Sequence, residues 1–152
     1  MSGIVLPAPL WRRLASAGYD ALLLAAVWLV VAMADLFLRG VAGLPYNVYV
    51  FRAELLFVAI LFFGWAWTHG GQTLGMRTWR LQLRRTDGRP VNWPTALARY
   101  AFAWLAWLPF AAGVLWCVID SRKRAWHDTL SGTEVVLLPK NIAAKAAPTA
   151  AP

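Results

Sequence analysis

The chain has 152 residues, of which 15 are lysine or arginine and 7 are acidic, so its formal net charge is +8. Hydrophobic residues make up 60% and charged residues 14%, with a mean hydropathy of +0.52; soluble domains are about 25% charged. This composition excludes an ordinary soluble domain, and the length excludes a large transporter of two repeats. Basic residues lie beside apolar segments, which indicates anionic lipid headgroups rather than nucleic acid as their partners. The single cysteine, Cys117, excludes a disulfide within the chain.

The first apolar segment runs from Ala15 to Leu38, long enough to cross a bilayer as a helix. Asp20 lies inside it, where an unpaired charge costs several kcal/mol. Arg13 precedes Asp20 by seven residues on nearly the same helix face, too far for direct contact within one helix. We therefore expect the two to meet through water, a third residue or another segment, or Asp20 to be a structural acid paired with Arg13, Arg99 or Arg124. A signal peptide cleaved near Ala32-Met33-Ala34 is the weaker alternative.

A second span is predicted from about Ala53 to Trp67, with a start as early as Val48. The segment from Thr68 to Ala98 that follows is rich in arginine. By the positive-inside rule this loop and the N-terminus are cytoplasmic. The arginines of the loop are Arg77, Arg80, Arg84, Arg85 and Arg89.

Apolar and polar residues alternate from Trp79 to Arg84, the pattern of a half-buried strand. Asp87-Gly88 is typical of a turn, and Val91 would begin the returning strand of a hairpin. Thr133 to Leu138 is a further strand candidate that could pair with this hairpin. The pattern predicts a small cytoplasmic sheet.

The third apolar segment, Tyr100 to Ile119, is broken by Pro109 and Gly113. A full crossing would put the basic residues 122–124 outside, against the charge rule, so a kinked or re-entrant helical hairpin is favoured. The predicted fold is therefore an all-α membrane protein with two transmembrane helices, this third hairpin and a small sheet. Residues 1–138 would form the membrane domain and residues 139–152 a disordered tail.

Three groups of residues together resemble the RDD family of bacterial membrane proteins. They are Arg13-Leu14-Ala15 with Asp20; Gly71-Gln72-Thr73-Leu74-Gly75; and Asp120 to Asp128 followed by Gly132-Thr133. The resemblance covers roughly Pro9 to Leu138. It implies family-motif positions, structural or coupled to protons or ions, at Arg13, at Asp20 and at a third aspartate, which falls on Asp128, with Asp120 as the rival.

Two further motifs have structural interpretations. Gly71 and Gly75 form a G-x-x-x-G in a polar loop, which predicts a flexible or tight turn rather than close helix packing. His69, His127 and Asp128 could in principle bind a metal, but the adjacent His and Asp point differently and His69 is remote, so no metal site is predicted. Asp128 is expected to order the basic turn 122–124 against the loop that contains Gln72 and Thr73.

Two functions of different class follow. The first is a small multi-pass protein of the bacterial inner membrane that assembles or regulates partners, with Arg13, Asp20 and Asp128 as an intramembrane polar lock. The second, which the family resemblance also suggests, is an oligomeric exchanger of cations for protons in which Asp20 binds the proton or ion. The chain shows no nucleophile with a base and no cofactor motif, so no enzyme is predicted; a homo-oligomer remains open. The lipid-facing basic residues are expected to be Arg12, Arg77, Arg80, Arg84, Arg85, Arg122, Lys123 and Arg124.

Overall fold

The structure is a computed structural model that describes residues 6–107, 112–120 and 123–139. It is mostly helical, with two long apolar helices, α1 (Leu10–Ala42) and α2 (Val48–Thr68), and a small three-stranded sheet. By length and composition both helices could cross a membrane, and both contain the predicted spans. The predictions for Pro109, for Arg122 and for most of the tail lie outside the described residues.

The two long helices form an antiparallel pair. Gly43 ends α1 in the left-handed conformation with φ +63°, which favours glycine, and the chain turns into α2. Within the pair the Trp28 indole N–H donates to the Leu55 carbonyl at 2.9 Å. Near the turn the Arg39 guanidinium of α1 lies 3.0 Å from the Glu54 carboxylate of α2. Each contact joins one helix to the other, so the pair is held by directed polar contacts as well as by apolar packing.

The sheet contains β1 (Leu6–Pro7), β2 (Leu81–Arg85) and β3 (Thr133–Leu137) in the order β1-β3-β2, with both pairings antiparallel. The strand predicted from alternation and the further candidate at residues 133–138 are both confirmed, and they pair with each other; β1 was not predicted. The returning strand at Val91 is wrong. Gly88 does form a turn, with φ +79°, but Val91 is buried in the core and the chain then begins a helix at Trp93.

Four shorter helices complete the described part of the chain: α3 (Leu74–Thr78), α4 (Trp93–Trp107), α5 (Ala112–Leu115), which continues into a 3-10 turn over Trp116–Val118, and α6 (Trp126–Leu130). The apolar core lies between the sheet, α3 and the start of α4. Its buried residues are Ala8, Met76, Leu81, Leu83, Val91, Ala96 and Val135. The core therefore sits at the N-terminal end of α1, while large apolar side chains farther along α1, such as Leu22 and Phe37, are exposed.

Candidate functional site

The Asp128 carboxylate is fully buried and joins three parts of the chain. Its Oδ2 accepts hydrogen bonds from the Arg13 guanidinium of α1 and from the Ala125 backbone N–H at 2.9 Å. Its Oδ1 accepts from Arg99 Nη1 of α4 at 2.6 Å, and the same nitrogen donates to Thr133 Oγ1 of β3 at 2.6 Å. We call Arg13, Arg99, Asp128 and Thr133 the Asp128 cluster.

The electrostatics of this cluster keep Asp128 ionised and its neighbour His127 neutral. Burial raises the pKa of Asp128, but the charges of Arg99 and Arg13 outweigh burial and hold it below its usual range. Burial, with Arg99 next in importance, lowers the pKa of His127 to about 3, although the Asp128 charge opposes the change. At neutral pH the cluster therefore contains two cations and one anion beside a neutral imidazole.

The Asp20 carboxylate is also buried, and it binds the segment that follows α2. Its Oδ2 accepts from the Thr73 hydroxyl at 2.5 Å and its Oδ1 accepts from the Gly75 backbone N–H at 2.9 Å. The Thr73 oxygen in turn accepts from the Met76 N–H at 3.1 Å and so caps the N-terminus of α3. We call Asp20, Thr73 and Gly75 the Asp20 cluster.

The Gly71-to-Gly75 motif is ordered at each end by close contact with backbone. Gly71 has φ +71°, and a Cβ there would overlap the Leu83 carbonyl oxygen of β2. The Gln72 amide donates to the Leu81 carbonyl at 2.6 Å. A Cβ on Gly75 would overlap the Ser16 carbonyl oxygen of α1. The tight turn is thus confirmed, but the prediction that close helix packing is unlikely was wrong, because α3 lies directly on α1.

The structure corrects two predicted partnerships. In the described chain Arg13 pairs with Asp128 and not with Asp20, and the groups bound to Asp20 are neutral donors. Asp128 does not order the described part of the basic turn: the Arg124 backbone N–H donates to Asp120 at 2.9 Å instead. Sequence periodicity could not identify these partners, because Arg13 and Asp128 are 115 residues apart.

The predicted lipid-facing basic residues have varied surroundings. Arg84 pairs with Glu134 at 2.7 Å, Arg85 with Asp87 at 2.9 Å, and Arg124 Nε lies 3.7 Å from Asp120. Arg77 and Lys123 are exposed, while Arg12 and Arg80 are half-buried. Contact of any of them with lipid stays a prediction.

A cavity of about 410 Å³ lies between α1 and α4, beside both clusters. Its walls are mainly apolar. The polar side chains among its lining residues are Arg13, Ser16, Asp20, Thr73, Arg99, Tyr100 and His127. Within the described residues, no group of three or more His, Cys, Asp or Glu side chains could hold a metal ion.

The sequence profile of the RDD family matches residues 7–132, a range that contains most of both clusters. The chain belongs to the RDD family. It is similar to the uncharacterized protein RP437 of Rickettsia prowazekii (strain Madrid E), with 29% identity over 91 residues. That match covers 60% of this chain and 50% of the relative, so the chain spans about half the length of the curated protein it matches. No solved structure matches it.

This RDD protein is thus a membrane-associated protein, and the residues predicted for its family motif are divided between two separate clusters. Arg13 and Asp128 belong to one, Asp20 and Thr73 to the other, and Asp120 to neither. Sequence analysis missed Arg99 and Thr133 as members of the Asp128 cluster; Arg99 was considered only as a partner for Asp20. A signal for Arg99 existed, since an isolated cation among the apolar residues of α4 needs a buried partner.

Proposed function

We propose that this protein is a multi-pass module of the bacterial inner membrane whose two clusters join its spans to a cytoplasmic layer. The observation that supports this most strongly is the fully buried Asp128 carboxylate, shared by Arg13 of α1 and Arg99 of α4. The polar lock predicted from sequence is retained, with Arg99 added and with Asp20 binding a different segment. Such a module would assemble or regulate partners through the surface that the two clusters hold in place.

The proposed membrane position follows from the lengths of the two long helices. The 33 residues of α1 extend about 50 Å, well beyond a hydrocarbon core of about 30 Å, whereas the 21 residues of α2 match it. Asp20 binds Thr73 and Gly75, which follow the end of α2 at Thr68 by five and seven residues. Asp20 is then close to the cytoplasmic end of α2 and not deep in the bilayer.

A re-entrant third segment is supported by contacts on both sides of residues 108–111. A Cβ on Gly113 of α5 would lie 2.7 Å from Ala106 Cα, so the chain returns alongside the end of α4. Asp128, which follows, contacts Arg13 at the start of α1. A complete crossing between α4 and α6 would separate these residues by the thickness of the membrane. The hairpin keeps Lys123 and Arg124 on the same side as the arginine-rich loop, as the charge rule requires.

Asp128→Asn tests the lock, because it keeps the shape of the side chain and removes its charge. Breaking a buried pair leaves an uncompensated cation, here two, and costs about 3–5 kcal/mol. We expect limited proteolysis in native membranes to cleave residues 69–92 faster in this variant. Asp87→Asn is the matched control, since Asp87 lies in an exposed turn. Equal cleavage of the two variants would contradict the lock.

Exchange of cations for protons at Asp20 is the second candidate, and the position of Asp20 on the cavity wall favours it. Both carboxylate oxygens already accept hydrogen bonds, which favours the structural role. Purified protein in liposomes separates the two. Proton flux that requires a monovalent cation gradient and disappears in a folded Asp20→Asn variant would establish exchange, whereas lost stability without flux supports the module.

A further inference from the structure

The cavity between α1 and α4 is lined along its length by an apolar stripe of α1 that belongs to neither cluster. Along α1 its wall is the stripe Leu14, Ala17, Ala21 and Leu24, which extends about 15 Å at 1.5 Å per residue. On α4 the facing wall includes Ala103. The alanines leave the space, because neither their side chains nor their neighbours fill the gap between the two helices.

The cavity is open at its side and charged at one end. Leu14 and Trp104 at its rim are 44% and 60% exposed, so an apolar chain could enter between the helices from the bilayer. Arg13 and Arg99 begin the two walls at the end nearest the sheet, and Asp128 balances only one of these two charges. Asp20 also faces the cavity, but Thr73 and Gly75 bind its oxygens.

We propose that this cavity binds an anionic phospholipid, with one acyl chain between α1 and α4 and the phosphate beside Arg13. A guanidinium has five N–H donors, so Arg13 can bind a phosphate oxygen while it keeps its bond to Asp128. The volume lies within the range of about 300–1,000 Å³ that is typical of ligand sites. Apart from Ser16 and Asp20, the α1 wall is apolar from residue 14 onward. Because α1 runs from Arg13 into the proposed membrane span, an acyl chain could extend along this wall from a phosphate at Arg13.

The site goes beyond the proposed lock and can be tested without disturbing it. Ala21→Phe fills the cavity with a ring and leaves Arg13, Arg99 and Asp128 unchanged. Ala26→Phe is the matched control: it adds the same ring to an exposed position of α1 that does not line the cavity. Failure of the proposed lock and failure of the lipid site can therefore be told apart, because each is tested by its own variant.

The full-length protein and both variants would be purified in a mild detergent, and retained phosphatidylglycerol measured by native mass spectrometry. We expect wild type and Ala26→Phe to retain one phospholipid and Ala21→Phe to bind it about tenfold more weakly, a difference of about 1.4 kcal/mol. Equal retention by the two variants would overturn the site. A dimer that Ala21→Phe converts to a monomer without any bound lipid would also overturn it, by showing that a second copy fills the cavity.

The lipid headgroup is tested by thermal stabilisation in the same detergent. Phosphatidylglycerol should raise the unfolding temperature of wild type more than phosphatidylcholine does, and inorganic phosphate alone should have no effect. Equal stabilisation by the two lipids would overturn the preference for an anionic phospholipid, because phosphatidylcholine carries the same phosphate beside a cationic choline. Stabilisation by inorganic phosphate that Ala21→Phe leaves unchanged would show an anion site without an acyl chain, which contradicts the proposal.

Discussion

Gly75 lies directly against the backbone of Ser16. A Cβ at this position would overlap the Ser16 carbonyl oxygen and stand 2.9 Å from Asp20 Cγ. This closeness lets the Gly75 backbone N–H donate to the Asp20 carboxylate at 2.9 Å. Because Gly75 has no side chain, α3 can lie directly on α1, and the loop after α2 is held there.

Gly75→Ala should separate α3 from α1. The added methyl meets backbone, which yields less readily than the end of a side chain, so we expect the free energy of unfolding to fall by about 1–3 kcal/mol. Thermal unfolding in detergent measures the change. Gly18→Ala is the matched control, because nothing lies within 4 Å of its Cβ and alanine favours the helix by about 0.5–1 kcal/mol. A Gly75→Ala variant as stable as Gly18→Ala would contradict the close contact.

Double-mutant cycles should show that Arg13 and Asp20 belong to different clusters. We expect coupling between Asp20→Asn and Thr73→Val, and between Arg13→Gln and Asp128→Asn, of about 0.5–3 kcal/mol each, because these pairs share hydrogen bonds. Arg13→Gln and Asp20→Asn should be closer to additive. The measurement is the stability of single and double variants. Strong coupling between Arg13 and Asp20 with none between Arg13 and Asp128 would restore the pairing expected from sequence.

His127 should make stability depend on pH in the mildly acidic range. Its pKa in the folded protein is about 3, below the ordinary 6.5, so between these values only the unfolded chain binds the proton. The contribution of the neutral His127 to the free energy of unfolding is then fully present above pH 6.5. It falls as the pH drops, by up to about 1.4 kcal/mol per pH unit. Asp128, whose pKa is also lowered, adds a loss below its ordinary value of 3.8.

Thermal unfolding at pH 7.5, 6 and 5 tests this dependence. His127→Gln should flatten the curve over this range, since it removes the titrating imidazole. His69→Gln should leave the slope as in wild type, because His69 is exposed and stacks on Trp65. An unchanged slope in His127→Gln would assign the acid sensitivity to another group.

Cysteine labelling should place the arginine-rich loop and α6 on one side of the membrane. In a Cys117→Ala background we expect Thr86→Cys and Leu130→Cys to be labelled only from the cytoplasm, and Leu44→Cys only from outside. All three positions are exposed. The reason is the contact of Asp128 with Arg13, which a complete crossing by residues 93–118 would prevent. External labelling of Leu130→Cys would reject the re-entrant hairpin.

The local elements of this protein could be predicted from its sequence, because each depends on neighbouring residues. The length of the apolar segments indicated α1 and α2. The alternation that includes Leu81 and Leu83 indicated β2, in which both of these side chains are buried. Val91 shows the limit of such patterns: its apolar side chain fits a returning strand as well as the core, and only packing with α3 and β2 decided between them.

Tertiary structure alone decided the partners of the buried charges. The sequence determined that Asp20, Asp128 and Arg13 are costly to bury unpaired, since that cost depends on residue type and on apolar surroundings. It could not determine that Arg13 binds Asp128, or that Thr73 and Gly75 bind Asp20, across 115, 53 and 55 residues. Those contacts depend on how the helices and loops pack against one another. Packing brings together segments that are far apart in the chain, so no local sequence pattern can identify them.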